Sequence, residues 1–141
     1  MEIRGSLETQ VESARLAASL SPYPNSATIL ALSGDLGAGK TTFAQGIARA
    51  LGVEENVTSP TFVIEKIYQL AGQKFSHLIH VDAYRLNGPH ELELLGWKEI
   101  TADPKNLIII EWPEKVVDLI PNDATRISFT GSGDSREIMY G

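Results

Sequence analysis

Residues 34 to 43 read GDLGAGKTTF: a glycine, four residues, then Gly39, Lys40 and Thr41. The chemistry open to this spacing is the binding of phosphate. Glycines let the backbone curl so that successive N–H groups point into one concavity. A helix starting near Lys40 adds its unpaired N–H groups and the positive end of its dipole. Lys40 supplies a point charge for the β and γ phosphates. The Thr41 hydroxyl is placed to ligate Mg²⁺. Asp35, Leu36, Gly37, Ala38 and Gly39 contribute mainly backbone, and Thr42 completes the candidate nucleotide-binding stretch. At ordinary residue frequencies a chance match in a chain of this length has a likelihood below about one per cent.

Phosphate-loop chemistry also needs a carboxylate to hold or position the metal, and such a group usually ends an apolar strand. Two fit: Asp82 after Leu78-Ile79-His80-Val81, and Glu111 after Leu107 to Ile110. Each also reads as a plain strand terminus. Which would ligate the metal and which would orient an attacking water stays open at the level of residue order. Thr61, in the loop after the phosphate-loop helix, is a candidate sensor of the γ-phosphate. Arg85 reads as a charge stabiliser, a surface residue or a partner contact. Trp112, next to Glu111, reads as the rim of the site or as core. His77, His80 and His90 lack metal-ligand spacing and are assigned no chemistry.

These residues need a scaffold that brings strand ends together. Ala27 to Ser33 is an apolar run of buried-strand type leading into the glycines. Phe43, Ile47 and Leu51 recur every four residues, an amphipathic helix closed by Gly52. Upstream, Leu7, Val11, Ala14 and Ala18 follow helical spacing and predict a helix, starting around Ser6 and Glu8. Phe62 to Leu70 and Phe75 to Val81 read as a hairpin around Ala71-Gly72-Gln73. A short helix is expected from His90 to Leu95, a strand from Leu107 to Ile110, and weaker strands from Thr125 to Thr130 and Arg136 to Tyr140. Strands interleaved with helices predict a single α/β domain over residues 1–141, with a mixed sheet because of the hairpin.

Composition narrows the function classes. The chain has 141 residues, 43% hydrophobic and 21% charged, with a net charge of −6. So acidic a chain is a poor direct ligand for a nucleic-acid backbone, so any such role is expected to run through a partner. There is no cysteine, which excludes disulfides and thiolate chemistry and is compatible with a reducing cytosol. No apolar stretch is long enough to suggest a membrane span, and the first residues do not read as a secretory signal. No Asn-Lys pair occurs, so the base-recognition segment of GTP-binding proteins is missing and ATP is favoured. A small-molecule kinase and a nucleotide-dependent docking module are the rival readings; the first lacks an Arg-rich lid segment.

Four segments in order carry a resemblance: GDLGAGKTTF, SPTF (Ser59 to Phe62), HVDAYRL (His80 to Leu86) and IEWPEK (Ile110 to Lys115), with ELELLGW between the last two. Together they resemble the bacterial TsaE (YjeE) family of small P-loop ATPases over nearly the whole chain. The resemblance implies a P-loop NTPase-like, three-layer fold with a central mixed, mostly parallel sheet flanked by helices. It implies ATP and Mg²⁺, a cytoplasmic location, and action with TsaB and TsaD in forming threonylcarbamoyladenosine at position 37 of tRNAs reading ANN codons. The transfer itself belongs to TsaD; the ATPase supports turnover and is expected to be slow alone. By position, Lys40 and Thr41 bind phosphate and Mg²⁺, Glu111 is the metal-associated catalytic carboxylate with Asp82 beside it, Thr61 lies in a switch-like loop, and Trp112 adjoins the nucleotide. Thr9 and the Gly131 turn are candidates for the adenine pocket.

Overall fold

A computed structural model of the protein describes residues 1–35, 39–54, 65–132 and 135–141. Its centre is β2 (Thr28–Gly34) and β5 (Asn106–Glu111), the two apolar runs of the sequence, paired in parallel from Thr28↔Leu107 to Leu32↔Glu111. Both strands are covered on both faces, so they read as continuous apolar runs rather than alternating ones. Among the described residues, seven strands form one sheet in the order β1-β7-β6-β2-β5-β4-β3. The four central strands, β6 (Thr125–Ser132), β2, β5 and β4 (His77–Asp82), run parallel. The flanks are antiparallel: β3 (Glu65–Gln69) returns against β4, while β7 (Ser135–Tyr140) pairs β6 and β1 (Glu2–Arg4) pairs β7. The sheet is therefore mixed, as the hairpin predicts, and a second antiparallel flank adds to it.

Side chains alternate between two cores. Leu30, Leu32, Leu107 and Ile109 point to the layer of α1 (Gly5–Ser19) and α2 (Lys40–Ala50). Ile29, Ala31, Ile108 and Ile110 point to the layer of α3 (Pro89–Leu94), α4 (Trp97–Thr101) and a 3-10 segment, Pro113–Leu119. This is a three-layer α/β architecture. Phe43 and Ile47 of α2 are fully buried, and Phe43 meets Phe129 of β6 edge-on at 5.3 Å.

The helix α1 forms where its spacing predicts, and the residues it buries are not the ones that carry that spacing. Thr9, Glu12, Ser13, Leu16 and Ala17 are buried, whereas Leu7 and Val11 are 74% and 64% exposed. The cause is close packing on α2. A Cβ at Gly46 would lie 1.8 Å from Ser13 Oγ and 3.2 Å from the Gln10 Cα. Only a face of small side chains permits that approach. Glu12 tolerates burial because Arg15 donates two hydrogen bonds to it, at 2.8 and 2.6 Å, and the Tyr140 hydroxyl donates another. Glu8 marks the helix start as expected: its carboxylate accepts the Arg4 N–H at 3.0 Å.

Candidate active site

The site is assembled at the C-terminal edge of the parallel strands, where ligands bind in open sheets of this kind. β2 leaves the sheet at Gly34, whose φ is +144°. A Cβ there would lie 2.5 Å from the Phe129 carbonyl oxygen on β6, so the chain turns away at a point only glycine can occupy. Gly39, which caps α2, is in the left-handed region, with φ 105° and ψ 8°. The first helical bond of α2 runs from the Phe43 N–H to the Gly39 carbonyl. The N–H groups of Lys40, Thr41 and Thr42 precede it and so have no acceptor one turn back within the helix. Unpaired N–H groups and the positive dipole end at a helix start of this kind favour an anion. Leu36, Gly37, Ala38 and Thr61 lie outside the described residues.

Strand parity decides what faces this helix end. In β4 and β5, Asp82 and Glu111 are register partners on the face that points toward α2. The Thr41 hydroxyl, one residue into α2, lies 3.4 Å from Glu111 Oε1. Lys40 is 5% exposed; its Nζ donates to the Gly34 carbonyl and stands 3.6 Å from the centre of the Trp112 ring. Burial lowers the Lys40 pKa, and the carboxylates of Glu111, Glu114, Asp82 and Asp35 push it back up. Burial also raises the proton affinity of Asp82; the Tyr84 N–H, donating at 2.9 Å, lowers it, and neighbouring Glu111 raises it again.

Trp112 is the one non-glycine residue with positive φ among the described residues, at φ 61° and ψ 52°. Its N–H donates to Leu32 at 3.2 Å, so the strand β5 is pinned to β2 beyond its last register pair before the chain turns sharply into Pro113. That conformation swings the indole over Lys40, with Tyr84 against its ring at 4.9 Å. Trp112 thus combines the two readings of its sequence position, lying at the site and packing partly against the second core.

Lys40, Thr41, Asp82, Glu111 and Trp112 are brought together. Asp35 is exposed and contributes charge near Lys40. Arg85 is exposed. Each of the two adenine-pocket candidates has a defined local setting. Thr9 is 4% exposed, and its hydroxyl donates to the Gly5 carbonyl. Gly131 has φ +108°, and a Cβ there would meet the Ser135 carbonyl oxygen at 2.6 Å. The hairpin it turns carries Arg136 to the phosphate loop: a Cβ at Gly39 would lie 3.6 Å from Arg136 Nε. Sequence reasoning passed over His80. Its Nε2 is 2.6 Å from Glu111 Oε2, and both side chains are buried. The signal was available: His80 is two residues before Asp82, hence on the same strand face.

Residues 7–138 match the family model described as threonylcarbamoyl adenosine biosynthesis protein TsaE. The chain belongs to the TsaE family. It is 40% identical to the TsaE protein of Borreliella burgdorferi over 78% of this chain and 80% of that one. Against the Bacillus subtilis protein of that name identity is 38%, over 79% and 68% of the two chains. A crystal structure of Bacillus subtilis YdiB superposes with a TM-score of 0.78 at 30% identity, covering 99% of this chain and 82% of that one. The phosphate loop, the two strand-end carboxylates and Trp112 all fall within the segment matched to TsaE.

The donor set fits Mg²⁺. Thr41 Oγ1 and Glu111 Oε1 are hard oxygen donors at one helix end, with the Asp82 carboxylate beside Glu111 in register. Among the described residues no three His, Cys, Asp or Glu side chains gather into a cage. An ion here would complete its shell with phosphate oxygens and water, as Mg²⁺ does at nucleotide sites. Among those residues, too, no helix is long and apolar enough to cross a membrane.

Proposed function

We propose that this TsaE-family chain is a Mg²⁺-dependent ATPase that works with TsaB and TsaD in the formation of threonylcarbamoyladenosine at position 37 of tRNA, in the cytoplasm. The observation that carries the ATPase reading is the register pair Asp82↔Glu111 facing the start of α2, with Thr41 Oγ1 3.4 Å from Glu111. A phosphate-binding helix end and two carboxylates on adjacent strands are the parts a phosphoryl-transfer site needs. The pathway assignment rests on the family model and on the names of the curated relatives.

In this reading the amides at the start of α2 and Lys40 bind the β and γ phosphates and offset the charge that develops on them. Thr41 and Glu111 would hold Mg²⁺, which would supply neutralisation of phosphate charge. Asp82, with its raised proton affinity, orients the attacking water. Few catalytic groups converge, so hydrolysis is slow for the chain alone and faster with TsaB and TsaD. tRNA is engaged only through the complex, in keeping with the net charge of −6. Lys40→Ala and Glu111→Ala test the proposal by phosphate release from ATP in the presence of TsaB and TsaD. Each is expected to lower the rate by at least about a hundredfold. Wild-type rates for both would end the assignment.

A further inference from the structure

The strand β4 is apolar at Leu78, Ile79 and Val81, yet the residue among them is His80, which is 1% exposed. A buried imidazole is tolerated where it has a partner, and here the partner is a carboxylate that is itself 3% exposed. Replacing such a buried polar pair with apolar residues of similar volume is often neutral or favourable to stability. Stability alone is therefore a weak reason for a histidine at this point. Geometry gives a stronger one. Glu111 Oε2 lies 2.6 Å from His80 Nε2, a short hydrogen-bond contact, while Oε1 faces Thr41 at 3.4 Å. A glutamate has three side-chain torsions, and its carboxylate can spin about the last one. Anchoring one oxygen on β4 and turning the other toward α2 fixes that rotation. An ionised carboxylate offers only acceptors, so toward it the imidazole is the donor, through Nε2–H.

We infer that His80 is a positioning residue that locks the Glu111 carboxylate with Oε1 directed at Thr41 and the phosphate end of α2. This rests on the reading of Glu111 as the metal-side carboxylate. His80 touches neither phosphate nor metal; it acts through Glu111, as hydrogen-bond partners behind metal ligands do.

The test uses the full chain with TsaB and TsaD, reading phosphate release from ATP and, separately, affinity for fluorescent mant-ATP. His80→Leu fills the space without a donor. His80→Gln places an amide N–H near the reach of Nε2, and His80→Asn places one too short to meet Glu111. Loss of an orienting partner typically costs 10- to 100-fold. His80→Leu and His80→Asn are therefore expected to lose about that much in kcat, with mant-ATP affinity within about threefold, and His80→Gln to regain most of the loss. In a Glu111→Gln background, His80→Leu adds no further loss. A soluble His80→Leu or His80→Asn within threefold of the wild-type kcat overturns the inference. So do equal rates for His80→Gln and His80→Asn, which would mark a merely structural histidine. Should the leucine variant fail to fold, the Gln and Asn pair decides alone. Glu111→Ala separates the two levels: wild-type turnover in that variant brings down the site reading, whereas loss there with no effect at His80 brings down only this inference.

Discussion

Gly46 sits in the middle of α2, where a glycine is normally unfavourable. Changing it to alanine in an isolated helix would stabilise by about 1 kcal/mol. The structure predicts the opposite sign. The added Cβ would lie 1.8 Å from Ser13 Oγ, 3.0 Å from Ser13 Cβ and 3.2 Å from the Gln10 Cα. The hydroxyl can rotate away, but it then gives up its 2.9 Å bond to the Gln10 carbonyl, a loss of about 1 kcal/mol. The Cβ and Cα cannot rotate, so α1 and α2 must separate, and overpacking of this kind costs about 1–3 kcal/mol. Strain outweighs propensity, leaving a net destabilisation of about 1–3 kcal/mol. For 141 residues each kcal/mol moves the melting temperature by about 3 °C, so thermal unfolding should show a fall of about 3–10 °C. Ser13→Ala removes only the hydroxyl conflict. In a double-mutant cycle it should therefore recover roughly 1 kcal/mol of the Gly46→Ala loss, and the Cβ conflict should remain. A Gly46→Ala protein as stable as wild type, or strict additivity with Ser13→Ala, would refute the claim that close approach selects the inward face of α1.

Gly34→Ala should be costly for a different reason. Its Cβ meets a backbone oxygen at 2.5 Å and its φ is +144°, so steric and torsional strain add to roughly 3 kcal/mol or more, read as a melting temperature lower by about 10 °C. Glu65→Gln tests the half-buried carboxylate on β3. Burial raises its pKa above 4.5, and Oε2 has no hydrogen-bond partner among the described residues. The stability linked to its protonated form is complete below pH 4.5 and is lost as pH rises through the raised value. Glutamine does not ionise, so the variant should gain on wild type between pH 4 and pH 7 in paired thermal melts. A constant difference across that range would contradict the assignment.

The parts of the fold that were legible in the sequence are those set by local pattern. The apolar runs of β2 and β5, the four-residue period of α2 and the turn at Ala71-Gly72-Gln73 each carry their own signal. Asp82 and Glu111 were found because polar residues ending apolar strands stand out, and the parallel register then made them neighbours. What was missed depends on distant partners. The strand β1 is three residues long and exists through its pairing with β7, more than 130 positions away. The buried face of α1 is chosen by the fit to Gly46, which helical spacing of apolar residues cannot register. The 3-10 segment after Trp112 follows from a left-handed tryptophan, a conformation rarely signalled by residue type. His80 was hidden for a similar reason: its significance lies across the sheet, in a contact with the neighbouring strand.

The lysine of the phosphate loop has a further consequence for how the site would respond to a nucleotide. In the structure its ammonium already donates to Gly34 and rests against the Trp112 ring. Uptake of a phosphate by Lys40 is thus an exchange of partners rather than an addition, and its measured heat is a difference between two sets of contacts. Two perturbations with the same effect on phosphate contacts can then give different affinities. Trimming the indole would weaken the resting arrangement of the cation as well as any occupied one, so a change at Trp112 can tighten binding even while it removes a contact. The affinity of such a loop is set as much by what its lysine leaves as by what it reaches.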